Sequence, residues 1–566
     1  MLEKEINLNK KFIIILLFLT VITLGMYSSY AYYEVVSGIS LFEVSSTTTF
    51  PNDIVEGDMT SSKSFSFTFT NTGQNDITIK LGTQGGLTGY PIPLEQGIEL
   101  KLNETLGVPV KDAITTSVNN PTGSCKTKVE EDGITYVSGT KDCINFNYVW
   151  YSGKLWRITA INPDGTMKMI TDDLIINISY GSDVNFYDIS KKDDTSYTGS
   201  YIYQWLNEDF LDTLYNYQDI IVEDSTWNIT TSSSISTKLP ETTLINNSTI
   251  SKNTPVGLLN SYEYYLSNKN TSSSYSYLNI SYHWKLLNPY SSFGDWHVCS
   301  DSYANNCNPS ASDGVRPSIN LKSNIQLSGG SGTKDNPYTI SGDKEQPTIN
   351  TTLLNTRTIG EYVIFDEDGD TSTEELYRIV GIENEKVKLN KNDYIKNDTT
   401  IVKKMFSTST TYGNGTSDEY WDYYLNNTWY NGLVSKSMLD KGTYYIKAML
   451  SGSYKNYLCN TNNTTETTKD CVKTTSIWNT GYVGLPRYGE MFASQQGNGY
   501  NSSSGMWLIT PHSSSEVSGV SNDGYSTSSN PSKTYAARPS IYLKSNVVIT
   551  GGSGTKSDPF TIALKD

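Results

Sequence analysis

One stretch of this chain is written twice. Residues 316–340 read RPSINLKSNIQLSGGSGTKDNPYTI and residues 538–562 read RPSIYLKSNVVITGGSGTKSDPFTI, identical at 17 of 25 positions with a spacing of 222. Chance does not produce such a match, and a fixed long period signals a duplicated structural unit. Fainter echoes upstream keep the same order. Leu155-Trp156-Arg157-Ile158 answers to Leu376-Tyr377-Arg378-Ile379, and Trp205-Leu206-Asn207 answers to Tyr424-Leu425-Asn426. Val256-Gly257-Leu258 followed by Glu263 answers to Val483-Gly484-Leu485 followed by Glu490, and Trp284 with Pro289 answers to Trp507 with Pro511. The duplicated unit is a domain of about 200 residues, too long for a solenoid repeat and long enough to bury its own core.

Each copy reads as an α+β domain. In copy one, residues 148–160 and 166–171 flank Asn162-Pro163-Asp164-Gly165, a hairpin signal. Ile202, Leu206, Phe210 and Leu214 fall at fourfold spacing, which predicts a helix over 202–215. A short helix near 261–267 carries Glu263, and a strand after Arg-Pro leads through Gly-Gly-Ser-Gly-Thr to the end of the copy. Ahead of the repeat, Phe65, Phe67 and Phe69, then Ile77, Ile79 and Leu81, alternate with polar residues about a turn at 71–76. That pattern predicts an antiparallel hairpin in a small β-sandwich. The expected organisation is a leader (1–33), a β-sandwich (34–118), a connector (119–142), copy one (143–342), a linker (343–356) and copy two (357–566).

The leader decides the compartment. Lys4, Lys10 and Lys11 precede FIIILLFLTVITLGM at 12–26, and Ser29-Tyr30-Ala31 offers small residues for cleavage after Ala31. This is the layout of a secretory signal. The rival reading is an uncleaved anchor, since 12–33 is uncharged and roughly 20 apolar residues span a bilayer. Both put the remainder outside the cytoplasm, with the membrane touched only through this N-terminal segment. No second apolar span follows. The net charge of −16 is spread thinly, and no basic stretch exists outside the leader, which argues against nucleic-acid binding. Six cysteines suit an oxidising compartment, and sequence proximity favours the pairs Cys125–Cys143, Cys299–Cys307 and Cys459–Cys471. His283, His297 and His512 are the only histidines. His297 lies two residues before Cys299, but four-ligand metal spacing is absent, so neither a metal nor another cofactor is expected.

At NYVWYSGKLWRITAINPDGTMKMI, then Trp-Leu-Asn, then the late Arg-Pro, both copies resemble an uncharacterised domain family of low-GC bacterial surface proteins. Copy two departs from it with Tyr377 for Trp and with Ala536-Ala537 before Arg538. VGLLNSYEY with a closing Arg strand is more distantly similar to C-type-lectin-like and formylglycine-generating-enzyme-like folds. The unit containing FTFTNTG resembles camelysin-type matrix proteins. These resemblances imply a surface protein and assign no active site.

No nucleophile-elbow, Walker or zinc-protease motif is present. The pairs Glu208/Asp209 and Glu419/Asp422 read as solvated helix faces, and His512 as a loop residue. The recurring residues Trp156, Arg157, Arg316, Pro317, Arg378, Arg538 and Pro539 read as structural, with Glu263 and Glu490 expected to meet Arg316 and Arg538. The reading that follows is a non-enzymatic surface binding or adhesion protein presenting two related domains to extracellular glycan or protein ligands. Its competitors are a subunit of an envelope, pilus or matrix fibre, and an extracellular hydrolase.

Overall fold

In the computed structural model the described residues run from 109 to 565, apart from 120–127, 141–142, 145, 179, 181–185, 189–193, 195–198, 240–250, 269–275, 281, 310–312, 371–374, 446–476, 479, 488–489, 491–504 and 522–525; ahead of 109 they are the backbone of six strands. Among the described residues β-structure predominates and helices are few and short, an α+β composition. The apolar leader at 12–26 lies outside the described residues, among which no helix is long and apolar enough to cross a membrane.

Two compact units divide the chain, Met1–Val110 with Gln326–Gly329, and the remainder. In the first unit Phe65–Thr70 pairs with Glu43–Val44 and Glu99–Glu104, whereas Ile77–Thr83 pairs with Ala31–Val35 and Thr88–Leu94. Both expected strands form, but in different sheets, so the expected hairpin across 71–76 is not made. Alternation fixes which face a strand buries and leaves its pairing neighbour open. Nor is 119–142 a plain connector. Lys128–Glu131 and Ile134–Val137 form a hairpin, and the latter adds to Lys154–Ile161 of copy one.

The second unit holds both copies, built on matching ladders. In copy one Lys154–Ile161 pairs with Met167–Thr171, which pairs with Ser318–Leu321, which pairs with Val256–Gly257. In copy two Leu376–Glu383, Lys386–Lys391, Ser540–Leu543 and Val483–Gly484 follow the same order. A bulge interrupts both first pairings at one place, between Ile158 and Ala160 and between Ile379 and Gly381. The strand expected over 148–160 is in fact two, joined at Ser152 and Gly153 with φ of 53° and 69°. Two positive φ values suit a two-residue type I′ hairpin turn. In the duplicated Gly-Gly-Ser-Gly-Thr turn, Gly330 and Gly552 have φ of 84° and 81°. A Cβ there would lie 2.0 Å from the carbonyl oxygen of Pro337 or Pro559, so glycine is required.

Ile202, Leu206, Phe210 and Leu214 are buried as their spacing predicts. The helix is not uniform, however: Tyr201–Gln204 is α-helical and Trp205–Phe210 is π-helical, with Leu211 N–H donating to the Leu206 carbonyl. Copy two repeats this change at Trp421–Tyr424 and Leu425–Trp429.

A second sheet completes each copy, Trp284–Ser291, Gly294–Val298 and Ala304–Cys307 in copy one, and Met506–Pro511, Val517–Val520 and Ser526–Ser529 in copy two. Its register corrects the expected alignment of Trp284 with Trp507. Lys285 faces His297 and Pro289 faces Asp295, whereas Trp507 faces Gly519 and Pro511 faces Val517. The position of Trp507 is therefore held in copy one by Lys285, and Trp284 corresponds to Met506.

Residues 343–356 are built into the fold rather than forming a free linker. Ser152 N–H donates to Asp343 Oδ2 at 3.1 Å, and Asn350 N–H to the Ile549 carbonyl at 2.7 Å. Arg378 of copy two donates to the carbonyls of Gly360, at 2.6 Å, and of Gly153 in copy one, at 3.3 Å. Burial pushes the Asp343 carboxyl from its ordinary 3.8 up to about 7, against the backbone N–H groups of Lys344 and Ser152 that favour its charge. The folded chain then holds a proton that the unfolded chain releases, so this residue's contribution to stability falls as pH rises from about 4 to about 7. Asp343→Asn keeps an acceptor for Ser152 and has no charge to bury. Its melting temperature is expected to gain on the wild type between pH 5 and pH 8; a difference that stays constant with pH contradicts this.

Candidate functional site

The recurring residues point inward and serve the frame. Asn207 Oδ1 accepts from Val256 N–H at 3.1 Å while its Nδ2 donates to the Val256 carbonyl at 3.1 Å. Asn426 does the same for Val483 at 3.0 and 2.8 Å. In each copy one amide thus bonds both backbone groups of the first residue of a short strand, and the π-helical turn carries it.

Glu263 begins the helix Ser261–Leu266 in a capping box: Asn260 Oδ1 accepts from Glu263 N–H at 2.8 Å, and Glu263 Oε2 accepts from Asn260 N–H at 2.9 Å. Its other oxygen receives Lys168. Glu490 likewise accepts from Arg487 N–H at 2.9 Å and from Lys388 at 2.6 Å. Burial raises the Glu490 carboxyl, but Lys388 and Arg487 outweigh it and hold the group below its ordinary value. Both lysines stand over a ring, Lys168 over Trp227 at 5.0 Å and Lys388 over Tyr444 at 4.8 Å. The expected Arg–Glu partnership is therefore replaced by Lys–Glu. Arg316 spends its donors on the carbonyls of Thr171, Leu278 and Asp172 at 2.9, 2.6 and 3.1 Å and lies over Trp284. Arg538 lies over the Tyr394 ring at 4.7 Å. Arg157 is buried on Asn147 and on the carbonyls of Ile144 and Tyr277. Trp156 donates to the Tyr151 carbonyl, while the carbonyls of Pro317 and Pro539 accept from Thr171 and Lys391.

The copies part company in the second sheet. At the shared offset of 222, copy two holds Gly505, Trp507, Val517, Gly519, Ser521 and Tyr535, and copy one holds His283, Lys285, Asp295, His297, Cys299 and Asp313. Lys285 is fully buried, 2.7 Å from Asp295 and 3.3 Å from Asp313. Above this charge group the ligand atoms of His283, His297 and Cys299 lie within 4.8 Å of one another. The two imidazoles stack with centroids 5.5 Å apart, and Cys299 Sγ is 3.1 Å from His297 Nε2. Burial pushes the His297 imidazole down to about 4 and the Cys299 thiol up, the latter helped by Asp301 and Asp313. Both shifts favour the uncharged forms, thiol and neutral imidazole. Sequence reasoning noticed His297 and Cys299 but missed Lys285, Asp295 and Asp313. The signal was polar residues at inward strand positions where the sister copy is apolar or small.

Cys299 is a free thiol, so the expected Cys299–Cys307 bridge is not formed. The ladder sets Cys307 opposite Asp295, four residues from Cys299, or about 13 Å along a strand, which exceeds the reach of a disulfide. Cys143 is disulfide-bonded, and Cys125, Cys459 and Cys471 lie outside the described residues. Asp422 is not on a solvated face. Buried, it accepts from Ser407 Oγ, Gly413 N–H and Gly415 N–H at 2.6–2.8 Å and fixes a loop. Glu208, Glu419 and His512 are exposed, and the Asp209 side chain lies outside those described. No protein-family model matches this chain, nor does any curated protein or solved structure.

Asn426→Ala would take the shared acceptor from the Tyr482 and Val483 N–H groups and leave the Val483 carbonyl only Tyr412 Oη, and is expected to cost about 2 kcal/mol in chemical denaturation. The exposed neighbour variant Asn427→Ala is expected to stay within about 0.5 kcal/mol. Equal effects would remove the clamp's assigned role.

Proposed function

We propose that this chain is an exported, non-enzymatic surface protein that binds an extracellular ligand, with glycans as the first class, through the second sheet of copy one. The observation that carries this reading is exposure. Among the described residues most large apolar side chains are buried or half-buried, yet Phe293 is 86% and Tyr303 74% exposed, more than any other. They occupy the two hairpin tips of that one sheet, at opposite ends of Gly294–Val298. Copy two has Ser515 at the position of Phe293.

Both tips are braced. Cys299 N–H donates to the Tyr303 carbonyl at 2.7 Å, Tyr264 Oη donates to the Ser302 carbonyl at 2.9 Å, and Ser302 has φ of 71°. At the other tip Phe293 N–H donates to Ser291 Oγ at 3.2 Å. A pre-set loop loses little freedom on binding. The Tyr303 ring stands among exposed Asp301, Asn305 and Asn306. An amphipathic ring edged with polar side chains suits the alternating apolar and hydroxyl faces of a sugar. The polar composition, the basic and apolar leader and the acidic net charge support an extracellular setting. On this reading the copies are two related α+β domains, distantly C-type-lectin-like, with copy two bracing copy one.

The full chain is expected to bind saturably on a glycan array. Tyr303→Ala is expected to weaken the signal about tenfold without moving the melting temperature, because the side chain is exposed. A blank array sinks the glycan reading; concentration-dependent filaments would point to a fibre subunit, and glycan or peptide turnover to a hydrolase.

A further inference from the structure

We propose that His283, His297 and Cys299 of copy one bind a single divalent transition-metal ion of the zinc class. The three ligand atoms lie within 4.8 Å of one another, and Cys299 Sγ is 3.1 Å from His297 Nε2. Ligands bound to one tetrahedral zinc ion, at about 2.3 Å for sulfur and 2.0 Å for nitrogen, stand roughly 3.5 Å apart, so small side-chain shifts close the site. The donor set selects the ion. Imidazole and thiolate suit zinc and its neighbours, whereas calcium and magnesium require oxygen ligands.

Three further observations point the same way. His297 is buried and its Nδ1 has no hydrogen-bond partner, although buried polar atoms are normally satisfied. An imidazole with one nitrogen on a thiol and the other on nothing is a poor hydrogen-bonding group and a serviceable metal ligand. Copy two supplies an internal control: with Gly505, Gly519 and Ser521 at these positions it makes the same ladder, so the frame does not need the three residues. Finally, one lysine against two aspartates leaves a net charge of −1 beneath the cluster. A divalent ion bound through one thiolate and two neutral imidazoles carries +1 and balances it. On binding, the Cys299 S–H bond breaks, its proton passes to solvent and the sulfur lone pair forms the bond to the metal. Three protein ligands leave a fourth position for water or a donor atom of a ligand. The Cys299 N–H bond to the Tyr303 carbonyl ties the ion to the turn carrying the exposed ring.

The test does not require the natural ligand. Metal-stripped full-length protein is titrated with cobalt(II) and then with zinc(II). One equivalent of cobalt is expected to produce a thiolate-to-metal charge-transfer band with tetrahedral d–d bands, and one equivalent of zinc to abolish both. The double variant His283→Gly/Cys299→Ser takes the residues of copy two; it is expected to keep the metal-free melting temperature and bind zinc about a hundredfold more weakly. Zinc is also expected to protect Cys299 of the wild type from iodoacetamide, read by peptide mass, which needs no variant. The proposal is overturned if the charge-transfer band is absent or survives Cys299→Ser, if zinc leaves alkylation of Cys299 unchanged, or if Cys299 is bridged in native protein.

Discussion

A lysine ion-paired to a carboxylate over an aromatic ring holds this architecture together, and it does so twice, half-buried at Lys168 and fully buried at Lys388. Lys168 and Lys388 lie on corresponding strands, each reaching a carboxylate, which in copy one is Glu263 in the first turn of the helix Ser261–Leu266, and each passing over an aromatic ring. The ring fills the space above a strand glycine. A Cβ on Gly257 would lie 2.3 Å from Trp227, and one on Gly484 would lie 2.4 Å from Tyr444. In copy one strand, helix, hairpin and short strand thus meet on one ammonium group. Breaking a buried ion pair strands the partner's charge at a cost of several kcal/mol, so such a pair specifies an arrangement even where it adds little net stability.

On that shared frame the copies have diverged unevenly. The first sheet, its bulge, its π-helical turn and its asparagine clamp are the same in both. In the second sheet of copy two an apolar cluster about Trp507, packed on Tyr535 at 4.7 Å and Phe406 at 5.7 Å, occupies the register that holds His, Cys, Lys and Asp in copy one. Polar and charged groups are costly to bury unless paired. They are concentrated in one sheet of one copy, the sheet whose two hairpin tips carry the two most exposed aromatic side chains among the described residues.

Much of the frame was legible in the sequence. The repeated Arg-Pro strand and Gly-Gly-Ser-Gly-Thr turn, the fourfold spacing from Ile202 to Leu214 and the structural role of Arg157, Arg316, Arg378 and Arg538 follow from pattern and burial. What stayed hidden depends on register and on distant partners. Trp284 and Trp507 look equivalent as letters, yet the ladder shifts them by one residue, and in a strand one residue exchanges the two faces. The partner of Glu263 is 95 residues away in sequence, and a lysine on an alternating strand reads as solvent-facing. The segments 119–142 and 343–356 look like connectors because they are polar, although their backbone groups join the fold. Cys299 and Cys307 are close in sequence, and only the ladder shows that the hairpin keeps them apart.

The most direct measurement is a double-mutant cycle on Lys168→Met and Glu263→Gln, read by chemical denaturation of the full chain. Each single change is predicted to cost about 3 kcal/mol, because it strands a charge or a helix cap. The double variant is predicted to cost less than the sum by about 2 kcal/mol, since the two losses are one interaction. Additive losses would contradict the shared ammonium as the feature that ties helix to sheet.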